Sequence, residues 1–396
     1  MTRPAMLPPL LRGRAQRTLP PVWLTLAVAS ALIALGWRAE SIDMVAYIGP
    51  WFRHIVAAGP IGAFAHPFSN YTPPYLYLLA VTTVADGLLT VTALAKLLGL
   101  AGAALLALAV RRLLVALGHD HPSRGAALGF ALPSVVINAG VLGQCDPWWA
   151  AATIMALTAA IHRRHVAMLV WFGLAIAFKA QAGFAAPFFV GLLIQRRVPT
   201  RLWIAAPLAA AAAMLPAALA GWPIADLATI YLRQADTFSF LSYNAPNIWM
   251  IVQPLSGGLQ LTGLALAAGV GAAAAYVAWL SARRLDGADL VAAAMLAPML
   301  VAGLLPRMHE RYFFLADVLA LAFALVAQDR RASLIFALVQ IGSLLALFAF
   351  MLRIDALAIV GGASMIAATG LTVRRLLVSP ANDNGLPLNP ARIYSA

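Results

Sequence analysis

The sequence predicts an all-α polytopic membrane protein, a bundle of about twelve transmembrane helices, each needing roughly 20 apolar residues. Three observations carry this. Of the 396 residues, 63% are hydrophobic and only 10% are charged, which is more apolar surface than a water-soluble core of ordinary proportions hides. Apolar segments recur at approximately 21–37, 87–110, 125–141, 147–161, 166–180, 182–195, 202–220, 258–281, 288–305, 312–328, 332–351 and 355–373. Arginine clusters stand at every second junction between them: Arg111/Arg112, Arg163/Arg164, Arg196/Arg197/Arg201, Arg283/Arg284, Arg330/Arg331 and Arg374/Arg375. Positive charge resists translocation, so these loops share the cytoplasmic side with the basic N-terminus.

The same residues bound the class. A net charge of +13 suggests nucleic acid, but the arginines sit in short clusters at the ends of apolar runs, with no basic face interleaved with aromatics. No nucleic-acid partner is expected. Cys145 is the only cysteine, which excludes an internal disulfide and a multi-cysteine metal site. Arg3, Arg12, Arg14 and Arg17 precede the first apolar segment in the manner of a signal peptide, yet no small-residue cleavage site follows, so a retained first helix is expected. The expected division is a cytoplasmic basic N-terminus over 1–20, a transmembrane domain over 21–373 and a cytoplasmic tail over 374–396.

The intervening loops then face outward, and the polar residues gather there. The first, 38–86, is long; within it Met44–Ala58 sets Trp51, Phe52, Ile55 and Val56 beside Arg53 and His54, a pattern suited to a helix lying in the interface. Asn70-Tyr71-Thr72-Pro73-Pro74-Tyr75 follows, where two prolines stop one helix and suit the start of another. Leu76–Val84, too short to span, is expected as a second interfacial helix. Next come Gly143-Gln144-Cys145-Asp146-Pro147-Trp148-Trp149, then Lys179-Ala180-Gln181 at a helix junction, then the outward loop 221–249. The last is Pro306-Arg307-Met308-His309-Glu310-Arg311-Tyr312-Phe313-Phe314. Ionisable side chains are costly near a bilayer, so this cluster is a candidate site; the plainer alternative is a loop that carries charge because it is wet.

Taken in order, Asp43-Met44-Val45-Ala46-Tyr47, Tyr71-Thr72-Pro73-Pro74-Tyr75, Gly143-Gln144-Cys145-Asp146, Lys179-Ala180-Gln181 and Met308-His309-Glu310-Arg311-Tyr312-Phe313-Phe314 resemble the bacterial GT-C glycosyltransferases related to the enzyme that adds the second mannose of GPI anchors. The resemblance runs from 21 to 330. It implies a GT-C-like bundle with interfacial helices in the first outward loop, a sugar donor carried on polyprenyl phosphate, and an acidic residue of that loop as catalytic base. Asp43 is the residue in that place. His309, Glu310, Arg311, Lys179, Gln181, Gln144, Asp146 and Tyr71 are the expected contacts to donor phosphate and substrate. No Asp-x-Asp or Glu-x-Asp pair stands in the first loop, so neither metal nor other cofactor is expected.

Each of these residues has a plainer reading. Asp43 suits the N-cap of the interfacial helix, as does Ser41. Asp146 before Pro147 is a common helix opening, and Lys179 near a boundary can snorkel. Lys96, inside a helix, is expected to pair within the bundle. Trp148, Trp149, Trp222 and Trp249 are expected as interfacial belt anchors. Within the last motif, Arg311 is expected to take phosphate through its planar fork, with Glu310 as counter-charge and Asp317 bracing it along the helix. His309 is expected to be protonated against the phosphate.

The expectation is therefore an inverting glycosyltransferase, with mannose as the sugar, acting on a glycan, lipid or protein acceptor at the periplasmic face of a cell inner membrane. Its rival is a transporter or flippase of a polyprenyl-linked glycan, which calls for ionisable residues near mid-membrane and for repeat symmetry. No internal repeat is visible.

Overall fold

The computed structural model describes residues 19–236, 239–257 and 259–378. Most of the expected N-terminal segment and C-terminal tail lies outside the described residues. The first outward loop follows α1 (Val22–Gly36) and holds a π-helical turn, Met44–Ile48, that runs into α2 (Gly49–Ala58), then α3 (Pro73–Thr82). The bundle continues with α4 (Val91–Ala116), α5 (Pro122–Ala131), α6 (Pro133–Val135), α7 (Asp146–Ile161), α8 (His165–Phe178), α9 (Ala186–Gln195) and α10 (Ala205–Ala220). After α11 (Ile224–Asp236), β1 (Ser242–Tyr243) and α12 (Ile248–Val252) come α13 (Thr262–Ser281) and α14 (Gly287–Leu304). The chain ends with β2 (Met308–His309), α15 (Phe314–Ala327), α16 (Arg330–Leu352) and α17 (Asp355–Val378).

Every expected apolar segment coincides with helix. Among the described residues six helices are long and apolar enough to cross a bilayer, or seven if the bent stretch 122–141 is one span. That stretch bends by 49° at Pro133, whose ring cannot continue the hydrogen-bond ladder, and proceeds as a π-helical segment to Val141. Shorter α7 and α15 are enclosed by neighbouring helices, so protein rather than lipid surrounds them. The outward loop 221–249 contains a helix that the sequence did not announce. In α11, Leu227 and Ile230 turn inward while Arg233 pairs with Asp226 on the exposed side.

Two large apolar centres hold most of these elements, with two small ones around α12. The larger joins α4, α7, α14 and α15 around Trp149, Phe188, Phe313 and Phe323. The smaller lies beneath the first outward loop, where Phe52, Ile55, Tyr75 and Leu76 meet Trp222 and Leu227. Three tryptophans expected as belt anchors are interior instead: Trp149 and Trp222 are each 1% exposed and Trp249 is 6% exposed. Only Trp148 is partly open, with its indole N–H donated to the Leu98 carbonyl.

The arginine-bearing loops gather at one end of the bundle. Arg375 bonds Asp289 at 3.0 Å and Asp329 at 2.6 Å, tying the starts of α14 and α16 to the end of α17. Arg196 donates to Ala160 O, and Arg124 to Leu19 O. The loops expected to face outward meet at the other end.

Candidate active site

The first outward loop reaches the site through a cap. Ser41 Oγ accepts the Met44 N–H at 3.1 Å and donates to the Leu142 carbonyl at 3.2 Å, so Ser41 performs the capping. Asp43 makes no capping bond. Its Oδ2 instead accepts Gln144 Nε2 at 2.9 Å and lies 2.7 Å from Arg311 Nη2. Both contacts fall on one carboxylate oxygen, and Asp43 lines a cavity.

The turn before α7 carries the second carboxylate. Asp146 is 1% exposed, and its oxygens accept Lys179 Nζ at 2.7 Å, Trp149 Nε1 at 2.9 Å and Asn138 Nδ2 at 2.7 Å. Lys179 arrives from the end of α8, where an extended backbone breaks the helix, and its ammonium also lies 5.3 Å from the centre of the Tyr71 ring. Burial works against the charge on Lys179, but Asp146 outweighs it and holds the ammonium well above its ordinary range. Tyr71 is in turn packed on Trp51 and reaches Gln144 Oε1 with its hydroxyl at 3.5 Å.

The last motif is held by a short parallel pairing of β1 with β2, Ser242 opposite Met308 and Tyr243 opposite His309. Tyr243 stacks on the His309 ring with centroids 5.0 Å apart and planes at 15°. Arg311 then projects its fork among three carboxylates. Nη1 bonds Glu310 Oε1 at 2.6 Å, Nη2 bonds Asp43, and Nε stands 3.9 Å from Asp146 Oδ2 without a hydrogen bond. Burial raises the Glu310 carboxyl pKa against the pull of Arg311.

Asp43, Tyr71, Gln144, Lys179, Gln181, His309, Glu310 and Arg311 all line one cavity of about 240 Å³, and Asp146 lies under its floor. Three expectations need correction. Burial, helped by Arg311, lowers the His309 pKa to about 3, so the ring is neutral near pH 7 rather than protonated. Asp317 does not brace Arg311; it accepts the Ser343 hydroxyl at 2.6 Å, because the α15 face it occupies packs on α16. Lys96 does pair within the bundle, through three backbone carbonyls and the face of the Trp37 ring. Arg307 leaves the cluster and lines a second, largely apolar cavity of about 430 Å³, which shares Gln181, Gln234 and Tyr312 with the first.

Sequence reasoning passed over Asn138, Tyr47, Trp51 and Gln234. Asn138 was accessible to it, since a lone amide in an apolar span is itself a signal. The aromatics were read only as parts of an amphipathic face.

No protein-family model matches the chain, and no curated protein matches it in sequence. Among solved structures the chain is similar to ArnT from Cupriavidus metallidurans, determined bound to undecaprenyl phosphate, with a TM-score of 0.50 and 16% identity over 89% of this chain and 76% of that one. At this identity the likeness is one of fold alone.

Proposed function

We propose that the protein is an integral-membrane glycosyltransferase that moves a sugar from a polyprenyl-phosphate carrier to an acceptor hydroxyl at the extracytoplasmic face of a bacterial inner membrane. One observation carries this reading: a polar cavity walled by carboxylates and cations opens beside an apolar one, and the two share Gln181, Gln234 and Tyr312. A donor with a long hydrocarbon tail and an anionic head needs such a junction. Gln181 Oε1, buried there without a protein partner, is available to a ligand hydroxyl. The solved structural neighbour was determined with undecaprenyl phosphate, which supports the same donor class.

In the proposed reaction the acceptor oxygen attacks the anomeric carbon as its proton passes to Asp43. The bond from that carbon to the phosphate oxygen breaks, and the electron pair leaves on polyprenyl phosphate with inversion at the sugar. An alcohol is a weak nucleophile near pH 7, so a positioned carboxylate is worth about 100-fold or more. The phosphate would lie against the Lys179 ammonium and the Arg311 edge, with neutral His309 as a hydrogen-bond donor. Ionisable groups gathered at one end of the bundle support chemistry over passage.

The test is transfer of radiolabelled sugar from polyprenyl-phosphate sugars, beginning with mannose, into a new product in membranes containing the purified chain. Appearance of product dependent on Asp43 is expected. Movement of intact lipid-linked sugar across the vesicle membrane without a new glycosidic product would overturn the reading.

A further inference from the structure

Lys96 lies in the second turn of α4 and is fully buried. Its Nζ donates to three carbonyls, Gly36 at 2.9 Å, Trp37 at 2.7 Å and Ala39 at 2.6 Å. An ammonium has three donors, and all are used. The acceptors belong to the end of α1, where the last carbonyls lack partners within the helix and a cation meets the negative end of the helix dipole.

Glu40, on the same segment, is engaged by the Thr92 hydroxyl at 2.6 Å and acts on Lys96 only at longer range. Its stem passes close by the turn that precedes Gln144. Gly143, at φ 65°, carries the chain into Gln144; a Cβ there would lie 2.5 Å from Met44 Cε and 3.5 Å from Lys96 Cγ. Ser41, bonded to the Leu142 carbonyl, stitches the same two segments together two residues before Asp43. If closing the bundle were the only task of this position, an apolar side chain of similar volume would serve without desolvating a charge.

We propose that Lys96 is a positioning residue for Asp43: it clamps the end of α1 against the 141–146 turn, so that the Asp43 carboxylate stays within reach of Gln144 and Arg311. This rests on the assignment of Asp43 as base. The clamp acts on the acceptor side of the reaction and leaves the donor contacts of Lys179 and Arg311 in place.

The test is a double-mutant cycle in the purified full chain: wild type, Lys96→Met, Asp43→Asn and both together, with sugar transfer and undecaprenyl-phosphate binding measured separately. Lys96→Met is expected to elute as a folded protein, to bind undecaprenyl phosphate within about twofold of wild type, and to lose about tenfold or more in kcat. Added to Asp43→Asn, it is expected to cost less than about twofold further, because the group it positions is already disabled. The positioning role is overturned if Lys96→Met lowers kcat by the same factor in both backgrounds, weakens donor binding as much as rate, or leaves kcat unchanged. Should Lys96→Met fail to fold, Lys96→Gln, which keeps an amide donor, goes through the same cycle with the same criteria. A near-normal rate for Asp43→Asn alone would remove the base assignment and this role together, whereas independent factors would remove this role only.

Discussion

Arg311 Nη2 lies 2.7 Å from Oδ2 of Asp43, joining the first outward loop to the last across the whole domain. The same guanidinium holds Glu310 at 2.6 Å through Nη1. A planar fork with separate nitrogens for separate partners does this; a point charge on a flexible stem does not.

Asp43→Asn preserves the shape of the side chain and removes its basicity. The variant is expected to fold and to bind donor, while the rate falls by about 100-fold or more. Turnover close to wild type would move the role to Asp146 or Glu40.

Arg311→Lys bears on donor binding. The fork already serves two carboxylates, so lysine disturbs both a phosphate site and the ion pairs. The discriminating quantity is donor affinity in folded protein. We expect it to weaken by about tenfold, on the scale of one charge-assisted bond. Wild-type affinity for undecaprenyl phosphate in purified Arg311→Lys would place the phosphate elsewhere.

The pair of Lys179 and Asp146 is buried on both sides, 4% and 2% exposed. Removing one partner strands a charge, so Lys179→Met is expected to lower stability by about 3–5 kcal/mol. Adding Asp146→Asn should recover part of that loss. Thermal melts of the two variants in detergent check this, and a double variant less stable than Lys179→Met would contradict it.

The helical segments were legible in the apolar runs because hydropathy is a local property: each run shows itself without reference to distant partners. Residues of the candidate site were legible for a similar reason, since an amide or a charge in an apolar stretch stands out by itself. What joins them was not. The β1–β2 pairing that brings Tyr243 to His309 is only two residues long and leaves no pattern. The backbone partners of Lys96 are equally invisible, because any residue carries a carbonyl. Burial of Trp149 and Trp222 depends on how helices meet, which hydropathy does not encode.

Sidedness is testable with single cysteines in a Cys145→Ser background. Ile61→Cys, 77% exposed in the first outward loop, is expected to react with a membrane-impermeant maleimide in spheroplasts. Arg197→Cys should react only after the membrane is opened. The reverse pattern would invert the protein.

The last prediction follows from His309, whose pKa burial and Arg311 depress to about 3. Histidine in the unfolded chain titrates near a pKa of about 6.5. Between these values the unfolded state binds a proton that the folded state refuses. Stability is therefore lost as pH falls through this window, by at most about 1.4 kcal/mol for each pH unit. His309→Gln keeps a neutral donor and has nothing to protonate. Its Tm should fall less than that of wild type between pH 6.5 and 5, while the other histidines contribute equally to both proteins. Since the folded ring is already neutral, the same substitution should leave the shape of the pH–rate profile above pH 5 unchanged, even where it lowers the rate. Equal losses of Tm in the two proteins, or an acid limb that disappears with His309, would show that the ring is charged in the working site.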